Sequence, residues 1–309
     1  MSLANASVLA GGGIVSAAKR RRLRESLTGA LFVAPSTLLF LALVLAPMAC
    51  LLVLAFTDYE LGALSTRWVG AENFLRATSD PVFRRAIVNT LLYVAILLPG
   101  GVLLGLLLAI LIHGRGRSRG IYEVIYFLPV TSTIIAMAAV WQFMLHPRLG
   151  PVNAAFRALG LPEIAFLSDP TLLIPTLAAI GLWQIAGFNM VLFLAGLSAI
   201  PRDLYDAASV DGAGGAIDRF LTVTWPQLAP TTMFVAVTTS ITAFKVFDTV
   251  AVITQGRDGT EVLLYAIYLE GFQYFKMGYA AALTVIFLAF MLAFSIVQAF
   301  QIDRRVHYS

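Results

Sequence analysis

The stretch PRDLYDAASVDGAGGAIDRFLTVTWP, residues 201–226, decides how the rest of this chain is organised. It is a long polar interruption between two apolar runs that are each long enough to cross a membrane. Pro201 suits the first turn of a helix, where its missing N–H costs nothing. Asp203 and Asp206 follow closely, and carboxylates near the start of a helix are stabilised by its dipole. The first half of the stretch therefore predicts a helix.

Glycines divide this stretch, which we call the polar hairpin, into two halves. Asp211-Gly212 and Gly214-Gly215 end the first helix, and a second short helix over 216–223 ends before Pro226. Connections between packed helices usually run only a few residues. The net charge of the polar hairpin is −2, from Asp203, Asp206, Asp211, Asp218, Arg202 and Arg219. An acidic helical hairpin indicates a docking surface for a soluble partner, and an ordinary connector between spans is the alternative.

The composition of the chain is that of a membrane protein. Of its 309 residues, 59% are hydrophobic and 12% are charged, and the mean hydropathy is +0.86. Soluble domains carry about twice that charged fraction. We therefore predict a polytopic membrane protein, and not a globular enzyme with a hydrophobic core.

Residue usage argues against metal and nucleic-acid binding. The single cysteine, Cys50, lies in an apolar run, so neither a disulfide framework nor a thiolate metal site is expected. His113, His146 and His307 are scattered at span edges or in the tail, and we predict no metal site. The net charge of +4 follows the membrane topology and does not indicate a nucleic-acid partner.

The sequence contains no nucleotide-binding motif. A P-loop requires G-x-x-x-x-G-K-[ST], and none of the three lysines, Lys19, Lys245 and Lys276, lies in one. Neither a Ser-His-Asp arrangement nor H-E-x-x-H is present. We therefore predict that the chain is not an enzyme and has no catalytic residue. If it takes part in ATP-driven transport, another chain must hydrolyse the ATP.

Six apolar segments are long enough to cross a membrane. They are residues 28–56, 86–112, 122–145, 171–199, 228–254 and 277–301. Five basic residues within 19–24 precede the first segment, and three arginines lie in 113–121 between the second and third. Because cytoplasmic flanks are rich in Lys and Arg, we predict cytoplasmic tails at 1–27 and 303–309. The polar hairpin then lies inside the cell, within a membrane domain of residues 28–302.

The predicted outer loops are short. Residues 57–85 predict one short amphipathic helix at the outer interface, ahead of the second span. Residues 146–170 contain two Gly/Pro turns and have room for only one short helix. Neither loop is large enough to form a binding domain.

Polar side chains inside a span are costly unless they face protein or a water-filled path. The candidates for a substrate path are Asn89, Trp141, Gln142, Trp183, Gln184, Asn189, Lys245 and Asp248. The aromatic-plus-amide pairs suit a sugar, because a ring stacks on the apolar face of a pyranose while an amide bonds its hydroxyls. The alternative is that Gln and Asn hydrogen-bond between helices and that Trp anchors the interface.

Lys245 and Asp248 are three residues apart on the fifth segment and are predicted to share a face of a helix. We favour an internal ion pair, which would make both charges tolerable in the membrane. The alternative is that both line the substrate path, with Lys245 available to an anionic group such as a phosphate.

The polar hairpin also resembles a known loop. Asp206-Ala207-Ala208, three residues and then Gly212 are similar to the E-A-A-x-x-x-G loop of permease subunits in bacterial ABC importers. The flanks, 197–201 and 223–226, resemble the branch that imports sugars and glycerol phosphates, as do Phe244-Lys-Val-Phe-Asp248 and Gly278-Tyr-Ala-Ala281. The resemblance covers about 28–302. Asp206 replaces the leading glutamate, and the segment after Gly212 is one residue longer than the usual pattern.

The resemblance implies an all-α, six-span permease with the fold of ABC type I importers. It implies a second, homologous permease subunit, two ATP-binding subunits and an extracytoplasmic solute-binding protein, in the bacterial inner membrane. No cofactor is expected in this chain, and ATP and Mg²⁺ would bind the ATPase subunits. The residues that would couple to the ATPase are Asp206, Ala207, Ala208, Asp211 and Gly212. The solute would be a carbohydrate or glycerol-3-phosphate.

Two other classes of function remain open from the sequence. An ion-coupled secondary transporter would need acidic residues or broken helices within the spans, and Asp248 alone is a thin signal. A membrane enzyme or a non-transport assembly protein would need a reactive group of residues near an interface, and none is evident.

Overall fold

The computed structural model describes residues 25, 28–116 and 118–303. The basic cluster in 19–24 and the end of the chain, 304–309, lie outside the described residues. The chain divides into two compact units, Met1–Leu54 and Ala55–Ser309. The first unit contains one long helix, α1, Thr28–Leu54.

Helix α1 is apolar and long enough to cross a bilayer. Its 27 residues span about 40 Å at about 1.5 Å per residue, against a hydrocarbon core of about 30 Å. The hydroxyls of Ser36 and Thr37 donate to the Val33 carbonyl at 2.8 and 3.0 Å, so the helix satisfies its own polar side chains. A π-helical turn over Leu41–Leu45 precedes Pro47, where the missing N–H interrupts the regular ladder.

The second unit is built from helices and turns, and its described residues contain no strand beyond an isolated bridge between Thr57 and Trp68. Its α-helices of four or more residues are α2 Glu72–Ser79, α3 Pro81–His113, α4 Arg119–Thr131, α5 Ile134–Met144, α6 Pro151–Ala158, α7 Pro170–Ser198, α8 Arg202–Val210, α9 Ala216–Arg219, α10 Ala229–Phe244, α11 Leu263–Tyr268 and α12 Met277–Asp303. Three further π-helical turns cover Phe220–Thr224, Val250–Thr254 and Leu269–Gln273.

Helix α7 is the central element of the second unit. Its first half and the first half of α3 share one apolar core, which includes Phe83, Leu97, Ile174 and Leu177. Its second half and the second half of α3 share another, which includes Leu106, Ile112, Phe193 and Leu197. The two helices therefore run parallel. We call the end of this unit that carries the polar hairpin the hairpin end.

Small residues let other helices approach α7 closely. A Cβ added to Gly105 of α3 would lie 2.5 Å from the Asn189 Cβ, and one added to Gly187 would overlap the carbonyl oxygen of Tyr126 in α4. Lipid gives no hydrophobic drive for helix association, so membrane helices associate by such close packing. The glycines therefore specify where α3 and α4 cross α7.

The predicted third span, 122–145, is divided in the structure. Helices α4 and α5 meet at a 98° bend, which makes the pair either a broken span or a re-entrant loop. The backbone turns at Ser132 and Thr133, which are extended. The Thr133 hydroxyl accepts from Ala136 N at 3.4 Å, and the Ser132 carbonyl accepts from Gln184 Nε2 at 3.3 Å.

The predicted fifth span, 228–254, is interrupted, and its continuous α-helix is α10. The helix ends at Phe244, and Lys245 has φ −83° and ψ +14°. The described residues thus include four helices long and apolar enough to span, a fifth span if the bent pair crosses as one, and the 16-residue α10. Six spans remain a prediction.

The opposite end of this unit is tied together by side-chain hydrogen bonds. The predicted short helix in 57–85 is present as α2, where Asn73 donates to the carbonyls of Ala55 and Thr57 at 3.0 and 2.8 Å. Asp80 caps α3 by accepting from Val82 N at 2.8 Å, and it also accepts from the Tyr279 hydroxyl at 2.8 Å. These bonds join the starts of α3 and α12.

Candidate functional site

The polar hairpin has the predicted helix–turn–helix form. Helix α8 is followed by a turn in which Gly212 has φ +97°, a conformation that glycine adopts without strain. The second helix begins as α9 and continues as the π-helical turn Phe220–Thr224. Pro201 precedes the first helical residue as its N-cap.

Hydrogen bonds join the two arms and the turn of the polar hairpin. The hydroxyls of Tyr205 on α8 and Thr224 on the returning arm lie 3.0 Å apart. Arg219 donates from Nε to the Ala213 carbonyl at 3.2 Å, and Asp218 accepts from Gly215 N at 3.2 Å, which caps α9. The turn is therefore braced from both arms.

A groove of about 410 Å³ opens between the two arms. It is lined by Leu204, Ala207, Ala208, Asp211, Gly212, Ala213, Asp218 and Thr222. Four of the five residues predicted to couple to an ATPase lie in this lining, and the fifth, Asp206, lies on the exposed surface of α8 outside it. The predicted coupling residues did not include the other four lining residues, which are Leu204, Ala213, Asp218 and Thr222.

The acids of the groove have no counter-charge within the described chain. No Lys, Arg or His nitrogen of the described residues lies within 4.0 Å of the Asp211 or Asp218 carboxylates. Arg219, the nearest basic residue in sequence, bonds a carbonyl instead. The groove thus combines a small-residue floor with an unpaired acidic rim.

The polar hairpin continues directly from α7. Only residues 199–201 separate α7 from α8. Ile200 and Phe220 pack against the apolar core that contains Leu197 and Leu228. The polar hairpin is therefore joined to the central helix of the unit both by the chain and by packing.

A second cavity, of about 300 Å³, lies beside the middle of α7. It is lined by Tyr93, Leu97, Val130, Gly181, Gln184, Ile185, Phe188 and Thr242. These residues come from α3, the end of α4, α7 and α10. Of the predicted substrate-path residues, Gln184 alone lines it. The sequence signal for the α7 face was present, since Gly181, Gln184, Ile185 and Phe188 recur at helical spacing.

The other aromatic and amide candidates of α5 and α7 contact neighbouring segments of the chain and do not line the cavity. The rings of Trp141 and Trp183 meet edge to face with centroids 5.3 Å apart. Gln142 donates to the carbonyls of Val252 and Ile253 at 3.4 and 3.2 Å. The indole N–H of Trp141 is buried and has no hydrogen-bond partner among the described residues.

The two asparagine candidates bond to other segments of the chain. Asn89 donates to the carbonyls of Gly259 and Glu261 at 2.7 and 2.8 Å. Asn189, which is fully buried, exchanges hydrogen bonds with Thr239. Neither amide lines the cavity. Asn189 makes the helix-to-helix bond that the alternative interpretation predicted, whereas Asn89 joins α3 to the turn and loop at 259–261.

The favoured ion pair between Lys245 and Asp248 is wrong. No nitrogen–oxygen distance of 4.0 Å or less joins them, and both side chains are exposed. The reason is local: the α-helix ends at Phe244, so the helical phase that would bring two residues three apart onto one face is lost.

A polar cleft of about 210 Å³ lies at the opposite end, and the sequence argument missed it. It is lined by Asp58, Tyr59, Glu60, Arg67, Val69, Glu72, Asn73, Arg76, Lys276 and Tyr279. Arg67 donates to Asp58 through its backbone N–H at 2.6 Å and its Nε at 3.0 Å, and these bonds hold the pKa of Asp58 below its usual value. The Arg76 guanidinium lies 4.0 Å from the centre of the Tyr279 ring.

Comparison with known proteins identifies relatives along nearly the whole chain. Residues 101–308 match the family described as binding-protein-dependent transport system inner membrane component. The chain is 33% identical to the probable ABC transporter permease protein YesP of Bacillus subtilis, over 91% of this chain and 92% of that protein. It is 31% identical to the sn-glycerol-3-phosphate transport system permease protein UgpA of Agrobacterium fabrum, over 90% and 95%. The sulfoquinovosyl glycerol transport system permease protein SmoG of the same organism is 30% identical, over 86% and 87%.

Solved structures agree with these relatives. A bacterial ABC transporter involved in the import of the acidic polysaccharide alginate superposes with a TM-score of 0.81 at 25% identity, over 92% of this chain and 99% of that one. The alginate transporter in complex with alginate pentasaccharide-bound periplasmic protein superposes with a TM-score of 0.79 at 25% identity, over 90% and 94%.

Proposed function

The chain belongs to the family of binding-protein-dependent transport system inner membrane components, and from this premise we propose how its groove and its cavity divide the work of an importer. It is a permease subunit of an ABC importer of the sugar and glycerol-phosphate type, and not the catalytic subunit. Its place is the inner membrane, which it crosses several times.

One observation carries the proposal: the second half of α7 connects the cavity to the polar hairpin that contains the groove. The cavity lies beside the middle of α7, and the polar hairpin follows its end after three residues. A partner that moves the polar hairpin therefore moves a wall of the cavity. The groove is the coupling site, and the cavity is the part of the solute path that this subunit provides.

The groove receives an ATPase subunit. Its floor is made of small side chains, so a partner surface can approach the backbone of α8, and its acidic rim has no internal counter-charge. The ATPase subunits bind ATP and Mg²⁺ and perform the hydrolysis. Asp206 lies beside the groove on the exposed surface of α8, where it meets the same partner.

A second permease subunit and a solute-binding protein complete the assembly. The cavity is open at Phe188 and Thr242, which are exposed, and the second permease closes the path from that side. Lys245 and Asp248 are exposed near the end of α10, and charges at this depth must face protein or water. The solute-binding protein delivers solute at the opposite end, and a complex with a periplasmic protein is known for the alginate transporter that this chain resembles.

The membrane domain comprises residues 28–302, with six spans and with both tails and the polar hairpin in the cytoplasm. In this orientation, closure of the ATPase subunits pushes the polar hairpin, and α7 carries the movement to the cavity. The bonds from Tyr205 and Arg219 keep the polar hairpin rigid during the push. The permease performs no covalent chemistry.

The groove is tested by filling it. Ala207→Leu places a larger side chain in the lining without backbone strain, and Gly212→Val also opposes the positive φ of the turn. We expect each variant to lower ATP-driven uptake about tenfold or more and to weaken retention of the ATPase subunits in mild detergent. The matched control is Ser209→Leu, an exposed position on the same helix outside the groove.

The outcome that refutes the proposal is specific. If Ala207→Leu and Ser209→Leu both retain the ATPase subunits and transport at the wild-type rate, the groove is not the coupling site.

A further inference from the structure

The cavity beside α7 contains no carboxylate, ammonium, guanidinium or imidazole group in its lining. Its polar side chains are those of Tyr93, Gln184 and Thr242. An anion taken from water into such a site would lose its hydration without gaining a cation, and an unpaired charge at this depth is costly.

The free hydrogen-bonding capacity of the cavity includes acceptors that suit hydroxyl groups. Thr242 donates its proton to the Thr238 carbonyl at 2.9 Å, which leaves the oxygen lone pairs of its hydroxyl as acceptors. Gln184 uses one N–H on the Ser132 carbonyl at 3.3 Å, which leaves its own oxygen and one N–H. Sugar hydroxyls donate and accept, whereas a phosphate or carboxylate only accepts and is best held by several donors or a cation.

The remaining lining fits the apolar face of one ring. Leu97, Val130, Ile185 and Phe188 present aliphatic and aromatic carbon. Small-molecule pockets run from about 300 to 1,000 Å³, so a cavity of about 300 Å³ has room for a single small ring.

The charged residues nearest in sequence to Thr242 lie outside the cavity and do not change its uncharged lining. Lys245 and Asp248 lie beyond the end of α10, outside the cavity lining, and they are one of each sign.

We infer that the solute group held by this cavity is an uncharged, hydroxyl-bearing ring, so the importer is selective for neutral carbohydrate over phosphorylated or acidic carbohydrate. The inference rests on the proposed function and narrows it. It predicts an uncharged solute for this importer, in contrast to relatives whose names specify glycerol-3-phosphate or sulfoquinovosyl glycerol and to the importer of the acidic polysaccharide alginate.

The experiment places a charge of either sign in the cavity of the complete importer. Thr242→Lys and Thr242→Glu are compared with Thr242→Val, which keeps the shape without a charge or a hydroxyl. Cells that express the whole importer are given a mixture of matched neutral and anionic probes: glucose and glucose 6-phosphate, galactose and galacturonate. Mass spectrometry of the medium measures the depletion that depends on this chain.

The expected result is depletion of neutral probes alone, with uptake in both Thr242→Lys and Thr242→Glu at least about tenfold below Thr242→Val. The inference is overturned if an anionic probe is depleted as fast as its neutral partner. It is also overturned if Thr242→Lys supports uptake while Thr242→Glu abolishes it, or if Lys245→Gln abolishes uptake of an anionic probe.

Failure of the proposed function has a different signature. Uptake that continues after ATP depletion, or that is indifferent to Ala207→Leu, refutes the coupling role whatever the charge of the solute. Selective uptake of an anionic probe that still needs ATP and Ala207 refutes the charge inference alone.

Discussion

Asn189 of α7 and Thr239 of α10 hydrogen-bond to each other through both polar atoms of the amide. The Asn189 Nδ2 lies 3.0 Å from the Thr239 hydroxyl oxygen, and that hydroxyl lies 3.3 Å from Asn189 Oδ1. Both side chains are fully buried, and Gly101 and Gly105 of α3 close over the amide. The pair fixes α10 against α7 just on the hairpin-end side of the cavity.

Removal of this pair lowers stability. Asn189→Ala leaves the Thr239 hydroxyl buried without its partner, and we expect a loss of about 1–2 kcal/mol in the free energy of unfolding. Denaturant unfolding in detergent measures it. Thr284→Val is the control, because that hydroxyl bonds only the Ala280 carbonyl of its own helix. Equal losses in the two variants would show that the contact between helices contributes nothing of its own.

The close approach of α4 to α7 depends on the absence of a side chain at Gly187. Gly187→Ala forces the new Cβ against the Tyr126 carbonyl, which is backbone and cannot rotate away. We expect a loss of about 1–3 kcal/mol and a lower unfolding midpoint. Gly114→Ala is the matched control, since nothing lies within 4 Å of a Cβ added there. A wild-type midpoint for Gly187→Ala would mean that α4 does not pack against α7 as described.

The bond between Tyr205 and Thr224 makes the polar hairpin stiff. Tyr205→Phe removes one hydroxyl from a 3.0 Å contact and costs about 1 kcal/mol locally. We expect the ATPase subunits to stay bound while uptake per ATP hydrolysed falls, because a more flexible polar hairpin transmits less of the ATPase movement to α7. Ser209→Ala, which breaks a bond within α8 alone, is the control. If Tyr205→Phe lost the ATPase subunits instead, the bond would serve docking and not stiffness.

Glu270 gives the opposite end a pH dependence. Burial raises the pKa of Glu270 above its ordinary value of 4.5, while Lys276 and Arg76 lower it and Asp80 raises it. The Lys276 Nζ lies 3.9 Å away, and Glu270 Oε2 is buried without a hydrogen-bond partner among the described residues. The native state therefore holds this proton more tightly than the unfolded chain does.

The sign of the effect follows from that difference. The stabilisation linked to Glu270 is present below about pH 4.5 and is lost as the pH rises through the native pKa. Glu270→Gln should remove this dependence. As the pH rises from below about 4.5, the unfolding midpoint of the variant should therefore change less than that of the wild type. Thermal unfolding across that range measures it, and parallel curves for the two proteins would contradict the prediction.

Much of the polar hairpin could be predicted from the sequence, because its signals are local. Proline before a helix, glycine after it and aspartate at its start act within a few residues, and the structure places α8, the positive φ of Gly212 and α9 where these signals lie. The apolar segments were likewise visible from composition. The resemblance in Asp206-Ala207-Ala208 and Gly212 is also contiguous in sequence, and it led to the family that the relatives establish.

Other features are decided by backbone geometry that hydropathy does not measure. The run 228–254 is predominantly apolar, yet the α-helix ends at Phe244, so Lys245 and Asp248 do not pair. The run 122–145 is apolar as well, yet it bends by 98° at Ser132 and Thr133. A count of apolar residues is the same for a straight helix and a broken one.

The sequence by itself determined the membrane class, the helical hairpin and the family, because composition, turn residues and a short motif are properties of neighbouring residues. Only the tertiary structure decided which side chains share a site. Tyr93, Gln184 and Thr242 come from three helices, and they meet because glycine contacts and the bond from Asn189 to Thr239 set the crossings of those helices. Close packing between distant segments has no signature in any one of them, and for that reason the cavity could not be read from the chain alone.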